Sequence, residues 1–125
     1  KTHEEAWFLM RCRWMLFMDQ CGRLELLRGV PRAWLGDGKT ISYRNMATRF
    51  GRLSVEVRSA LCSGTITADI TLEPLEGAAP DAITIRLPHP DGLRPAAVHG
   101  GKYCAETETV TLPTLCGTAR VVLEF

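Results

Sequence analysis

Apolar and polar residues alternate along most of this chain, most sharply where Leu53, Val55 and Val57 interleave with Ser54, Glu56 and Arg58. Successive side chains of a strand point to opposite faces, so a period of two predicts a half-buried β-strand. The same period runs through 40–45, 65–72 and 83–87, where Ile83, Ile85 and Leu87 alternate with Thr84 and Arg86. Further short strands are expected at 24–28, 95–99, 108–112 and 119–125. Turn residues punctuate the series: Gly36-Asp37-Gly38, the Pro-containing stretch 73–81, Pro88-His89-Pro90-Asp91-Gly92 and Gly100-Gly101. A brief helical turn fits within 29–35. About eight short strands at regular spacing predict a mainly β protein, an antiparallel β-sandwich. No strand–helix–strand rhythm is present, so a parallel sheet is not expected.

The front of the chain reads differently. Thr2 and Glu5 make a T-x-x-E capping box, Gly22 stands where a helix would end in the left-handed conformation, and no Gly or Pro lies between. Residues 2–20 are therefore predicted as one N-terminal α-helix. Trp7, Met10, Trp14, Phe17 and Met18 follow helical spacing, while Phe8, Leu9, Met15 and Leu16 carry the apolar surface well round the helix. Such a helix needs cover on more than one side. Each large side chain left in water forfeits roughly 1.5–3 kcal/mol. Trp7, Met10, Trp14, Phe17 and Met18 are thus expected to form a partner interface, against a helical domain or a second copy of the chain. The expected organisation is a helix over 1–22 and a sandwich over 23–125.

Composition narrows the partners. The 125 residues fit one domain, with 46% hydrophobic and 23% charged residues, as an ordinary globular chain has. Fifteen basic residues balance fourteen acidic ones, a formal charge of +1, which gives no electrostatic reason to expect nucleic acid or an anionic membrane. No apolar run reaches the ~20 residues a membrane helix needs. The richest stretch, 6–18, is interrupted by Arg11 and Arg13, and no signal-peptide cleavage pattern follows it. The first residue is Lys1 rather than Met, as in a processed or excised piece. Cys12, Cys21, Cys62, Cys104 and Cys116 are odd in number and lack a CxxC spacing, which favours buried thiols over a disulfide framework. A Cys104–Cys116 bridge between late strands stays open, and with it the compartment.

Few constellations carry chemistry. Gly38-Lys39-Thr40 superficially matches a phosphate-binding loop, but Ala33 stands where that motif needs Gly, and a strand pattern follows where it needs a helix. His3, His89 and His99 share no ligand spacing with one another or with the cysteines, so no metal or other cofactor is expected. His89, between two prolines, reads as a turn residue. Asp37, Asp91, Glu106 and Glu108 fall at turns or on alternating faces, as turn formers and solvated strand residues do, rather than as an acid–base pair. Carbohydrate binding is the more credible activity. Trp34, Tyr43 and Tyr103 are the candidate platforms, with Asp37, Arg44 and His99 as polar neighbours, and core packing is the competing role for each aromatic.

The run Leu26-Leu27-Arg28-Gly29-Val30-Pro31-Arg32-Ala33-Trp34-Leu35 resembles the segment that joins the last barrel helix to a C-terminal β-sandwich in bacterial (α/α)6-barrel, six-hairpin-type glycoside hydrolases. Ala47-Thr48-Arg49-Phe50-Gly51, His89-Pro90-Asp91-Gly92 and Val98-His99-Gly100-Gly101 resemble turns of that same sandwich, in the same order. Met46-Ala47, Pro88 and His99 depart from its usual residues. The resemblance implies that residues 2–20 are the final barrel helix and that the acid and base carboxylates lie in a barrel this sequence does not contain. It implies a non-catalytic accessory module packing on a helical catalytic domain, with a stand-alone carbohydrate-binding module as the alternative.

Overall fold

A computed structural model describes residues 17–20, 22–48, 50–74, 82–112 and 117–125. Ten strands make up two five-stranded sheets. In chain order they are β1 (Phe17–Gln20), β2 (Arg23–Leu26), β3 (Thr40–Thr48), β4 (Gly51–Ala60), β5 (Thr65–Pro74), β6 (Ala82–Arg86), β7 (Ala97–His99), β8 (Lys102–Cys104), β9 (Thr109–Leu112) and β10 (Gly117–Glu124). Single 3-10 turns at Arg32–Leu35 and Leu61–Ser63 interrupt the series. The first sheet runs β1-β2-β6-β9-β8 and the second β3-β4-β5-β10-β7. Their inner faces share one apolar cluster, with Leu24, Ile85 and Val110 from the first sheet meeting Leu53, Val57, Ile70 and Leu123 from the second. The mainly β, sandwich-like reading of the period-two pattern holds.

Alternation is visible strand by strand. In β4 the odd positions from Gly51 to Ser59 are buried and the even ones face outward. In β5 Ile66, Ala68, Ile70 and Leu72 have no exposed surface. Strand β3 runs three residues past its expected end because an irregularity between Tyr43 and Met46 inserts a residue without ending the pairing. Asn45 takes a positive φ of 56° there, and its N–H donates to Ser54 Oγ at 3.1 Å. Leu26 and Leu27 are consecutive yet both buried, which regular strand geometry forbids. Leu27 achieves it with a left-handed φ of 56° that turns its side chain back to the core.

Three expectations are corrected. Residues 17–20, expected within the helix, form strand β1, paired antiparallel with β2 from Phe17↔Leu26 to Gln20↔Arg23. Gly22, expected to end a helix, has φ 75° in the link of that hairpin. Four residues with Phe17 and Met18 as their apolar pair fit either period, and here the pairing with β2 and the burial of Phe17 decide. Residues 17–20 thus belong to the first sheet. The rest of the expected helix, with Trp7, Met10 and Trp14, lies outside the described residues. Second, β2 and β6 pair parallel, from Arg23↔Ala82 to Leu26↔Ile85, in a sheet whose other pairs are antiparallel. A long connection that leaves and re-enters the sheet permits this. Third, β8 joins the strand set, following the Gly100-Gly101 turn.

That glycine pair carries the chain from β7 in the second sheet to β8 in the first. Gly100 has φ 95°, and a Cβ on it would stand 2.1 Å from Arg120 O. A Cβ on Gly101 would stand 2.5 Å from Val110 Cγ1 and 2.6 Å from Thr111 O. Only a residue without a side chain passes between the sheets here.

Candidate functional site

Strand β6 is the middle strand of the first sheet. Because Ile83 and Ile85 turn inward, Thr84 and Arg86 stand on the outer face. Register sets their neighbours: Thr84 lies between Glu25 and Thr111, and Arg86 lies beside Thr109, which in turn faces Cys104. Over this grid lies a hollow of about 410 Å³, lined by Glu25, Leu26 and Arg28 on one side and by Thr84, Arg86, Thr107 and Thr109 on the other. Its volume falls in the range of small-molecule sites.

The charges in the hollow are unevenly committed. Arg28 Nη1 donates to Glu25 Oε2 at 2.6 Å and lies 3.8 Å from Met18 Sδ. Arg86 Nη1 donates to the carbonyl of Val30 at 2.7 Å, and the guanidinium makes no other hydrogen bond or ion pair with the described residues. The hydroxyls of Thr107 and Thr109 are 2.7 Å apart. The hydrogen bond from Thr107 Oγ1, followed by the backbone N–H groups of Thr107 and Glu106, holds the exposed Cys104 thiol below its usual range.

A second cluster closes one end of the sandwich. Arg32 opens the 3-10 turn that also carries Trp34, and its Nη1 donates to Glu108 Oε2 at 2.8 Å and to the carbonyl of His89 at 2.9 Å, while Nη2 meets Glu108 Oε1. The guanidinium holds the Glu108 carboxyl below the usual carboxylate range. His89 is 6% exposed; its Nδ1 accepts the N–H of Asp91 at 2.9 Å, and its ring meets Phe125 edge-on at 4.8 Å. Acceptance at Nδ1 leaves the ring proton on Nε2. His89 is a turn residue, as expected, and also a buried one.

A shallower hollow of about 190 Å³ lies on the outer face of the second sheet, between Ser42, Arg44 and Ser54 and the paired Glu56, Asp69 and Thr71. Glu56 and Asp69 stand directly opposite each other across β4 and β5. Each is bound to an arginine, Glu56 to Arg58 at 3.0 Å and Asp69 to Arg120 at 2.7 Å. Two adjacent carboxylates repel, and the flanking guanidiniums offset that repulsion.

The aromatic candidates are dispersed. Tyr43 is buried in the core, its ring 6.1 Å from that of Phe17, and burial pushes its phenol far up. Tyr103 is half-buried on the core side of β8, where burial and then Glu108 raise its phenol. Trp34 is 42% exposed on the Arg32 turn. Tyr103 thus lies near the Arg32–Glu108 pair, Trp34 shares the turn of Arg32, and Tyr43 is elsewhere. Asp37 accepts the N–H of Cys62 at 3.0 Å, and His99 lies 3.5 Å from Glu124. Phe17 is buried within this chain's own core, and Met18 is half-buried beside Arg28. Cys104 is a free thiol, and Cys116 lies outside the described residues. Sequence reasoning missed Arg86, Arg28, Thr84, Thr107 and Thr109. For Thr84 and Arg86 the one signal was the polar half of the 83–87 alternation, which any solvated strand shares.

Among the described residues no group of three His, Cys, Asp or Glu side chains could hold a metal ion, and no helix is long and apolar enough to cross a membrane. No protein-family model, curated protein or solved structure matches the chain.

Proposed function

We propose that this chain is a non-catalytic β-sandwich module of a glycosidase-like protein, one that packs on a helical domain or on a second copy of itself. The observation that carries this reading is how the segments resembling that family are used. Leu26, Leu27, Val30 and Leu35 of the first segment are buried in the core. Arg32 of the same segment grips the carbonyl of His89 in the 89–92 segment, and Arg86 grips the carbonyl of Val30. These residues are engaged in joining the sheets, the task of a structural module. The carboxylates support it too, since Glu25, Glu56, Asp69 and Glu108 are each bound by an arginine, the adjacent Glu56 and Asp69 included.

The alternative, a stand-alone carbohydrate-binding module, is favoured by Trp34, an exposed ring on the turn that Arg32 opens. Light scattering of the full chain over a concentration series, with affinity electrophoresis through neutral polysaccharide gels, separates the readings. The module reading expects a dimer or larger assembly and no retardation. A monomer at every concentration that polysaccharide retards would sink it, as would turnover of chromogenic glycosides by the purified chain.

A further inference from the structure

We infer that the hollow over the middle of the first sheet is a binding site for a carboxylate-bearing saccharide, a uronate unit of an acidic oligosaccharide. The inference rests on the hollow alone and is independent of the module reading.

The argument begins with Arg86. A guanidinium presents five N–H donors in a planar fork. Here one nitrogen is fixed by the Val30 carbonyl at 2.7 Å, which orients the fork and leaves its remaining donors without a partner among the described residues. Neither neighbouring carboxylate serves it: Glu25 is bound to Arg28, and Glu108 is bound through both oxygens to Arg32. An oriented arginine on the central strand, with donors to spare beside a hollow, is suited to bind a planar carboxylate by two parallel hydrogen bonds.

The rest of the lining selects the remainder of the ligand. Thr109 stands next to Arg86 by register, and its hydroxyl is shared with Thr107 at 2.7 Å. Thr84 lies one row along, opposite Glu25. Hydroxyls both donate and accept, and the Glu25–Arg28 pair offers one acceptor and several donors at the far wall. Such a surface matches the vicinal hydroxyls of a sugar ring. Among the described residues no aromatic ring lines the hollow, so none offers a platform to a stacked base. A carboxylate beside a ring of hydroxyls is what a uronate presents.

The test is a ¹⁵N-resolved NMR titration of the full chain with trigalacturonate, with galactotriose and inorganic sulfate as separate arms. The expected result is saturable movement of the Thr84, Arg86 and Thr109 amides with trigalacturonate and none with galactotriose. Arg86→Gln should weaken binding roughly tenfold or more, the loss of a charge-assisted pair. Because Arg86 also holds Val30, Thr109→Val serves as the second variant; it leaves that bond intact and should weaken the same titration. Sulfate moving the same amides with equal affinity would overturn the saccharide assignment. Absence of saturable shifts at these amides, or equal binding by both variants and the parent chain, would overturn the site.

Discussion

Arg32 and Glu108, 76 residues apart in sequence, meet fork to fork at one end of the sandwich. The same guanidinium reaches the carbonyl of His89, so one side chain ties the β2–β3 connection to the turn after β6 and to the approach to β9. Glu108 adopts a positive φ of 56° here, and its own carbonyl accepts the N–H of Leu87 at 3.1 Å. The exposed end of the molecule is thereby held at three points by a single ion pair.

This pair makes stability depend on acid. Arg32 lowers the folded-state pKa of Glu108, so the carboxylate form is favoured by folding. Its contribution is fully present above the unfolded pKa of about 4.3 and is lost as pH falls through the lower, folded value. Glu108→Gln should melt below the parent chain at neutral pH, with the gap closing under acid conditions. Thermal melts across that range check it, and a gap independent of pH would assign the loss to packing rather than charge.

The two-sheet crossing predicts a contrast between glycines. Gly100→Ala puts a Cβ against Arg120 O at a φ of 95°, and should cost more than about 2 kcal/mol. Gly38 also has a positive φ, 77°, but a Cβ there meets nothing within 4 Å, so Gly38→Ala should cost only about 1 kcal/mol. Urea unfolding of the two variants measures the difference directly.

Placement of 17–20 as a strand predicts unequal neighbours. Phe17 is 1% exposed against Tyr43, whereas Met18 is half-buried on the outer face. Phe17→Ala should cost roughly 3–5 kcal/mol, and Met18→Ala well under half of that. Equal losses in denaturant melts would contradict the alternation of β1.

Cys104 should be alkylated faster at neutral pH in the parent chain than in Thr107→Val. The hydroxyl of Thr107 is the largest influence holding the thiol below its usual range, and only the thiolate reacts. Peptide mapping after timed iodoacetamide treatment reads the rate at Cys104 alone. An unchanged rate would remove Thr107 from that role.

Much of this architecture is legible in the residues themselves. The interleaving of Leu53, Val55 and Val57 with Ser54, Glu56 and Arg58 names both the strand and its buried face, because a strand's period of two admits no other assignment. The turn at 88–92 and the glycine pair at 100–101 stand out by turn chemistry. At 17–20 the reading fails for a physical reason: Phe17 and Met18 suit a helix and a strand alike, and only pairing with Arg23–Leu26 distinguishes them. The aromatic candidates were chosen by residue type, and residue type cannot separate a sugar platform such as Trp34 would make from a core residue such as Tyr43 is.

What the sequence by itself determined, then, is where the β-strands from 40 onward run, the short β8 excepted, and which of their side chains turn inward. Periodicity is local, and it is enough for that. Which strands become neighbours was decided by the tertiary structure alone. The parallel pairing of β2 with β6 brings Arg86 to the middle of a sheet, within reach of Val30 and beside Thr109. Arg32 likewise finds Glu108 only once both sheets have closed on their shared core. Contacts between residues far apart in the chain depend on how apolar faces pair and stack. Alternation marks those faces but does not say which meets which.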